Sequence, residues 1–555
     1  MFKRPAIEFT TAPPQIVNIQ GWVLILLFLA YILPGNVGHA PWRGDDVVHI
    51  ATTASMLHSG DWLVPRIAGV AFLDTPPLHY WLGSLTGILL GWLLPLHDAI
   101  RLASVAALAF GLWALREAVK RFVPAEAPAI HSGNATVLVA LASMGLLIHA
   151  HEAQPLITLF ATVAGTLWGL SMLAEAPRRA IVVAGGFLGA SFLASGLSAL
   201  ILTLPTCVVA LTISRPQRIT FSSLWPGLLL AVVLIALWPI LLARQNEYLL
   251  TQWWQQELSS ITPAFPPKRF SALVNLLSWF AWPLWPIAGW VLWTRRHQIT
   301  DAAYALPLTA FLCALWIVVT TGTVRPANAI PLLPPLILLA GPGINRLRKG
   351  AANLLDWFGI MTFTLIGAFL WFSWGSLHLG YPAALARNIT RLAPNFTPHI
   401  SWWAIPLAVL LSIGWVLALM AVPRFQLRGV LRWALGMTLA WGLATTLWLD
   451  WFDYDKNYTR ITSQISAQVR ENKDCVMGLG TGDVQRAALD YFSKIRVQRF
   501  SRSNTKCNLV LSYQSGRNAL SAPGEDWSLQ WSETKGRGRL QEQFALFRRK
   551  GSKAD

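Results

Sequence analysis

A chain of 555 residues that is 54% hydrophobic, only 13% charged and carries 29 tryptophans has more apolar surface than a water-soluble fold can bury. That composition excludes disorder, collagen, coiled coil and a small disulfide scaffold, and it points to a polytopic α-helical membrane protein. The net charge of +18 then reads as basic loops that orient membrane spans and meet lipid phosphates, with no nucleic-acid partner.

In chain order, the first apolar run, 17–34, lacks a small-residue cleavage site and predicts a retained span rather than a signal peptide. A long polar loop, 35–98, follows. Within it Val47, Ile50, Ala51, Ala54 and Leu57 recur at helical spacing after Asp45-Asp46, and Gly60-Asp61 ends the run. This predicts an amphipathic juxtamembrane helix. Twelve more spans are expected near 99–117, 132–149, 155–174, 180–194, 197–213, 223–243, 271–293, 302–320, 329–344, 353–375, 401–420 and 431–449. The apolar run 77–96 is assigned to the outer interface instead of a fourteenth span. With thirteen spans the clusters Arg116/Lys120/Arg121, Arg178-Arg179, Arg215/Arg218, Arg295-Arg296, Arg346/Arg348/Lys349 and Arg424/Arg428 all share a side with Lys3 and Arg4. One more span would move them outside, against the positive-inside rule.

This topology divides the chain into a transmembrane part, 1–449, and an outer tail, 450–555. Helical stretches at 458–470 and 484–493, mixed with strand-like runs at 475–478, 508–512 and 544–548, predict a small α/β domain for the tail. Outside the cytoplasm, Cys475 and Cys507 are disulfide candidates. Cys207 and Cys313 lie in apolar runs and read as packing residues.

The expected spans carry almost no Asp, Glu, Lys or Arg at mid-depth and show no inverted repeat, which argues against an ion-coupled transporter. Polar residues gather at one rim: Arg43, Asp45, Asp46, Arg66, Asp74, His149, His151, Glu152, Glu257, Lys268, Arg269 and Arg325. Acids, bases and phosphate-binding cations there suggest chemistry on a lipid head group. Asp45 and Asp46 are candidates to take a proton or orient a cation, or to cap the following helix, and Asp74 is the third candidate catalytic acid. His151 and Glu152 form a second acidic and polar site, or an interfacial turn before the helix-starting Pro155. With Asp74 and Glu257 they are also the candidate ligands for a divalent metal ion. Trp253 and Trp254 suit a sugar or lipid ring, and equally an ordinary membrane interface.

At this point a resemblance emerges. The stretch Gly44-Asp45-Asp46, then Met56-Leu57-His58-Ser59-Gly60-Asp61-Trp62-Leu63-Val64-Pro65-Arg66, then Asp74-Thr75-Pro76-Pro77-Leu78-His79-Tyr80-Trp81, resembles the first loop of bacterial GT-C glycosyltransferases. The similarity is to the lipid A aminoarabinose transferases and the protein O-mannosyltransferase superfamily. Leu333-Pro334-Pro335-Leu336 and the thirteen-span layout with an outer tail fit as well. The resemblance implies a polyprenyl-phosphate-sugar donor, a periplasmic active site, inverting transfer to lipid A or another envelope glycan, and a place in the bacterial inner membrane. Its first-loop aspartate falls on Asp45 and its Glu-Lys-Pro-Pro segment on Asp74-Thr75-Pro76-Pro77. The phosphate-contacting lysine is therefore Thr75 here. A second common lysine stands as Ser195, and a frequent Arg-Tyr stands as Val48-His49. Arg43, Arg66, Lys268, Arg269 and Arg325 are left as the candidates to meet the donor's phosphate. The competing expectation is a non-catalytic lipid-glycan carrier that kept the scaffold.

Overall fold

The computed structural model describes residues 19–122, 129–213, 221–262, 268–320, 324–344, 347–393, 396–423, 425, 427–472, 475–501, 507–516, 520–536 and 541–551. Lys3, Arg4, Arg215, Arg218, Arg346 and Arg424, used above in the charge argument, lie outside them.

Every expected span falls on helical chain. Six helices among the described residues are long and apolar enough to cross a membrane: Leu96–Phe122, Pro177–Ile213, Ser222–Gln245, Ala302–Thr320, Lys349–Leu379 and Ala404–Ala421. Gly21–Ile32, Ser132–Leu141, Pro155–Ser171 and Ala327–Gly343 are shorter apolar helices, and the stretch expected at 271–293 is two helices bent by 91°. The run 77–96 forms the helix Leu78–Leu90. It is another of the shorter apolar helices, so length does not set it apart from Gly21–Ile32 or Ser132–Leu141. Tyr80, Gly83 and Gly87 face the protein while Leu85, Ile88, Leu89 and Trp92 are exposed.

Pro177–Ile213 holds the expected pair 180–194 and 197–213 and breaks at Ser195 and Gly196. The next helix shows that the second arm runs back. Gly227 packs on Ile181 and Gly185, Leu230 on Gly186, and Leu234 on Gly189, so Phe221–Gln245 runs parallel to the first arm. Two consecutive parallel helices require the chain between them to return, which the 197–213 arm does. Gly196 sits at φ +62, a region that favours glycine, and a Cβ there would collide with the Glu257 carboxylate.

The tail forms a five-stranded sheet, in the order Gln498–Arg499, Val476–Leu479, Leu509–Ser515, Glu542–Arg549, Trp527–Lys535. The first three strands are parallel and the last two pairings antiparallel. Trp527–Lys535 is an edge strand with little buried surface, so its sequence carries no apolar run to announce it. The sheet unit does not have a core to itself. Val47, Val48, Ala51 and Met56 of the Asp45–Ser59 helix share one apolar cluster with Tyr458, Ile461, Ile465, Leu489, Leu509, Leu511 and Leu546. Arg43 adds ion pairs to Asp455 (3.5 Å) and Glu542 (3.4 Å). It fastens the first loop to the tail and, unlike Arg325, does not line the cavity described below.

Cys475 and Cys507 are joined, with Cα atoms 5.0 Å apart, beside the paired residues Val476 and Leu509. Closing a loop over a sequence separation of 32 restricts the unfolded chain by about 3–4 kcal/mol. The double substitution Cys475→Ser/Cys507→Ser is expected to lower the melting temperature of the tail. An unchanged melting curve would show that the bond adds no stability.

Candidate active site

The Asp45–Ser59 helix begins after Gly44 and ends at Gly60, a left-handed C-cap with φ 71. Asp45 and Asp46 occupy its first turn, where carboxylates oppose the positive end of the helix dipole. Neither is the N-cap, contrary to the sequence-based expectation, because Gly44 holds that position. Successive helical residues point about 100° apart, so the two aspartates part company.

Asp46 turns inward and is 1% exposed. It accepts from Arg101 Nη2 (2.8 Å) and Nε (3.1 Å), from Trp42 N (3.0 Å) and from Ala153 N (2.9 Å). Arg101 also donates to Asp98 (2.9 Å) and to the carbonyls of His39 and Ala40 (3.1 Å each). Asp46 is thus a clamp between the first loop and the Leu96–Phe122 helix, and it does not line the cavity.

Asp45 faces that cavity. Arg325 Nη2 donates to Asp45 Oδ1 at 2.6 Å and Gln154 Nε2 to Oδ2 at 3.0 Å. Burial raises the Asp45 pKa, but the charges of His49 and Arg325 and both hydrogen bonds outweigh it and hold the carboxyl below its ordinary value. Burial in turn pushes His49 down to about 4, so His49 is neutral at pH 7 and Arg325 carries the effect there. His49 Nδ1 lies 3.0 Å from the Tyr80 hydroxyl.

The cavity holds about 480 Å³. Asp45, Val48, His49, Asp74, Thr75 and Ser195 all line it, so the positions singled out by the resemblance converge on one cavity. Arg325 is the one cationic side chain among the described residues that line it. Gln154, Asn328 and Asp483 also line it and were not identified from sequence. Gln154 is the N-cap of the helix Pro155–Ser171, where its Oε1 also accepts from Leu156 N (3.3 Å).

Glu257 lines the same cavity. Its Oε2 accepts from Leu197 N at 2.9 Å, capping the returning arm of the helical hairpin. Burial pushes its pKa up to about 7, from an ordinary value of 4.5. The folded state therefore holds a proton that the unfolded state has lost. Stability from this group is full below about pH 4.5 and falls as pH rises towards 7. Glu257→Gln is expected to lose less thermal stability than the wild type between pH 5 and pH 8. Equal losses would refute the shift. Asp74 is also raised by burial, against a hydrogen bond from Gln256 and with the charge of Asp483 adding.

The other candidates lie elsewhere. Arg66 pairs with Asp61 (3.3 Å) outside the cavity. His151 is buried with its ring nitrogens at the carbonyls of Leu147 (2.5 Å) and Tyr31 (2.9 Å), and Glu152 pairs with His149 (3.2 Å). Both are packing and turn elements, so the four proposed metal ligands Asp74, His151, Glu152 and Glu257 do not come together. Among the described residues no three of His, Cys, Asp and Glu converge as a metal site. Trp253 is buried against Trp238 (ring centroids 5.1 Å apart) and is not a docking surface. Lys268 and Arg269 open the helix Lys268–Phe280, and their side chains are not among those described.

The multi-pass helical body with its small C-terminal sheet unit has the GT-C fold of membrane glycosyltransferases. Within that class the chain resembles the aminoarabinose transferases. It superposes on the crystal structure of ArnT from Cupriavidus metallidurans bound to undecaprenyl phosphate with a TM-score of 0.68 and 17% identity, over 95% of this chain and 98% of that one. It is 23% identical over 423 residues to an undecaprenyl phosphate-α-4-amino-4-deoxy-L-arabinose arabinosyl transferase of Pectobacterium atrosepticum, covering 72% of this chain and 71% of the relative. The enzyme of the same name from Pseudomonas savastanoi is 25% identical over 449 residues, 77% of each chain. No family model matches the chain.

Proposed function

We propose that this chain is an inner-membrane glycosyltransferase that moves a sugar from an undecaprenyl-phosphate carrier to lipid A or another envelope acceptor on the periplasmic face. The carrying observation is the pair Asp45–Arg325, 2.6 Å apart in a rim cavity lined by the first-loop motif. The likeness to enzymes named for undecaprenyl-phosphate sugar transfer supports the substrate class.

In this reading the acceptor oxygen attacks the sugar's C1 from the face opposite the phosphate. The C1–O bond breaks, and the phosphate leaves with its electron pair. Arg325 is the described cation placed to meet that charge, and a charge-assisted bond to phosphate is stronger than a neutral one. Its present partner is Asp45, so the phosphate and Asp45 share it on donor binding. Asp45 is ionised at neutral pH. A carboxyl with a lowered pKa is a weak base, so its main role is to orient the acceptor and accept its hydrogen bond. An acceptor phosphate is already ionised and gives up no proton. A hydroxyl acceptor passes its proton to Asp45 and on to water.

The test is incubation of purified protein with a labelled undecaprenyl-phosphate sugar and lipid A. Label in the lipid A fraction supports the proposal. Binding of the carrier without transfer overturns it in favour of the lipid-glycan carrier, a reading motivated by Thr75 and Ser195 standing where relatives place lysines. Orientation is checked separately by reporter fusions. A fusion at residue 460 is expected to report the periplasm, and a cytoplasmic signal there would overturn the thirteen-span topology.

A further inference from the structure

A second and larger space of about 1190 Å³ opens outside the transfer cavity, and the proposed reaction leaves it unused. Three pieces of chain wall it: the turn between the short strands Arg66–Ile67 and Val70–Ala71, one face of the helix Glu247–Ile261, and the tail unit from Asp483 to Arg499. The helix face offers the side-chain amides of Gln252, Gln255 and Gln256 and the ring of Tyr248, which is 67% exposed. Amides both donate to and accept from sugar hydroxyls, and an exposed aromatic ring covers a sugar's apolar face.

The opposite walls are cationic. Arg66, Arg486, Arg496 and Arg499 stand against two carboxylates, Asp74 and Asp483. Arg66 is held by Asp61 (3.3 Å) and Arg496 lies 3.9 Å from Asp490. Arg499 has no carboxylate within 4.0 Å among the described residues. Arg486 is the decisive group. It is 4% exposed, its Nε donates to Val497 O (3.4 Å) and its Nη1 to Asp483 (3.3 Å). Its Nη2 is buried with no hydrogen-bond partner among the described residues. A buried guanidinium donor left idle is costly and uncommon. Its Nη2 lies beneath the surface of the groove wall, and a turn of the side chain would present it to an anion in the groove.

We infer that this groove binds an anionic glycan, with the arginines on its phosphate or carboxylate and the helix amides and Tyr248 on its sugar ring. Asp74 and Asp483 line both spaces, so the groove adjoins the transfer cavity. On the transferase reading, on which this assignment rests, the bound glycan is the acceptor, and its reacting end lies towards Asp45.

Full-length protein in nanodiscs is titrated with glucosamine 1-phosphate as a soluble probe and, separately, with vesicles of phosphatidylcholine containing lipid A as a membrane-borne one. Arg496→Gln/Arg499→Gln alters exposed side chains and is expected to weaken binding by about tenfold or more, through loss of charge-assisted bonds. Binding of undecaprenyl phosphate and the melting temperature are expected to stay at wild-type values. Arg486→Lys tests the buried donor: it keeps the charge but not the fork, and the same loss of probe affinity is expected. Loss with the soluble probe identifies a free anionic glycan as sufficient; loss with the vesicles alone identifies a lipid head group. Equal affinities of the wild type and the double variant for both probes overturn the inference. In the transfer assay the acceptor KM is expected to rise with donor KM and kcat unchanged, and an effect on donor KM alone overturns the acceptor assignment. A wild type that binds probe through these arginines but transfers no sugar refutes the transferase reading and leaves the groove standing.

Discussion

Asp45→Asn is expected to slow sugar transfer by about 10²–10⁴-fold, the range for loss of a positioned acid–base group, while the protein folds normally. The charge is what matters. Asp45 lies on the cavity wall with its carboxylate held ionised, and it shares Arg325 with the incoming phosphate in the proposed reaction. Asparagine keeps the size and an acceptor oxygen but presents a neutral group to the acceptor. If Asp45 served only as a first-turn carboxylate, the cost would be about 0.3–1 kcal/mol of helix stability and transfer would stay near wild type. Single-turnover transfer from a labelled undecaprenyl-phosphate sugar separates the two, because it excludes product release. Wild-type single-turnover rates would remove Asp45 from the mechanism while leaving the fold assignment intact.

Legibility from sequence differed by kind of feature. Local signals were strong: helical spacing and Gly60 located the Asp45–Ser59 helix. The two cysteines of the tail were paired from the compartment implied by the topology. Motif positions were also informative, since Asp45, Asp74, Thr75 and Ser195 are spread over 150 residues and line one cavity. What sequence did not separate was Asp45 from Asp46. Their division depends on Arg101, more than fifty residues away, and on a turn at Ala153 that no local pattern ties to either. Gln154 and Asp483 were invisible for the same reason. Their roles come from packing between distant segments, and a glutamine before a proline or an aspartate opening a helix carries no mark of a cavity. Arg43 and His151 show the reverse error, because a polar residue at a span exit looks the same whether it meets substrate or fastens two parts of the chain.

The clamp itself yields the largest expected effect on stability. Arg101→Gln is expected to destabilise the protein by about 3–5 kcal/mol, seen as loss of folded protein in detergent and not as a change in the rate of the folded fraction. Arg101 is fully buried and stands between two buried carboxylates, Asp46 and Asp98, at 2.8 and 2.9 Å. It also binds the carbonyls of His39 and Ala40, which fixes the segment leading into the Asp45–Ser59 helix. Glutamine leaves both carboxylates buried without a cation and cannot span the same set of acceptors. Lysine keeps the charge but not the planar fork, so Arg101→Lys is expected to rescue only part of the loss. Asp46→Asn has a smaller cost, because Arg101 then keeps Asp98 in a one-to-one pair. The order of melting temperatures, wild type above Asp46→Asn above Arg101→Gln, follows from this charge count. An Arg101→Gln protein as stable as the wild type would show that Trp42, Ala153 and Gly38 N–H groups alone satisfy the two carboxylates. In that case the placement of Asp45 at the cavity would owe nothing to the buried charge pair beside it.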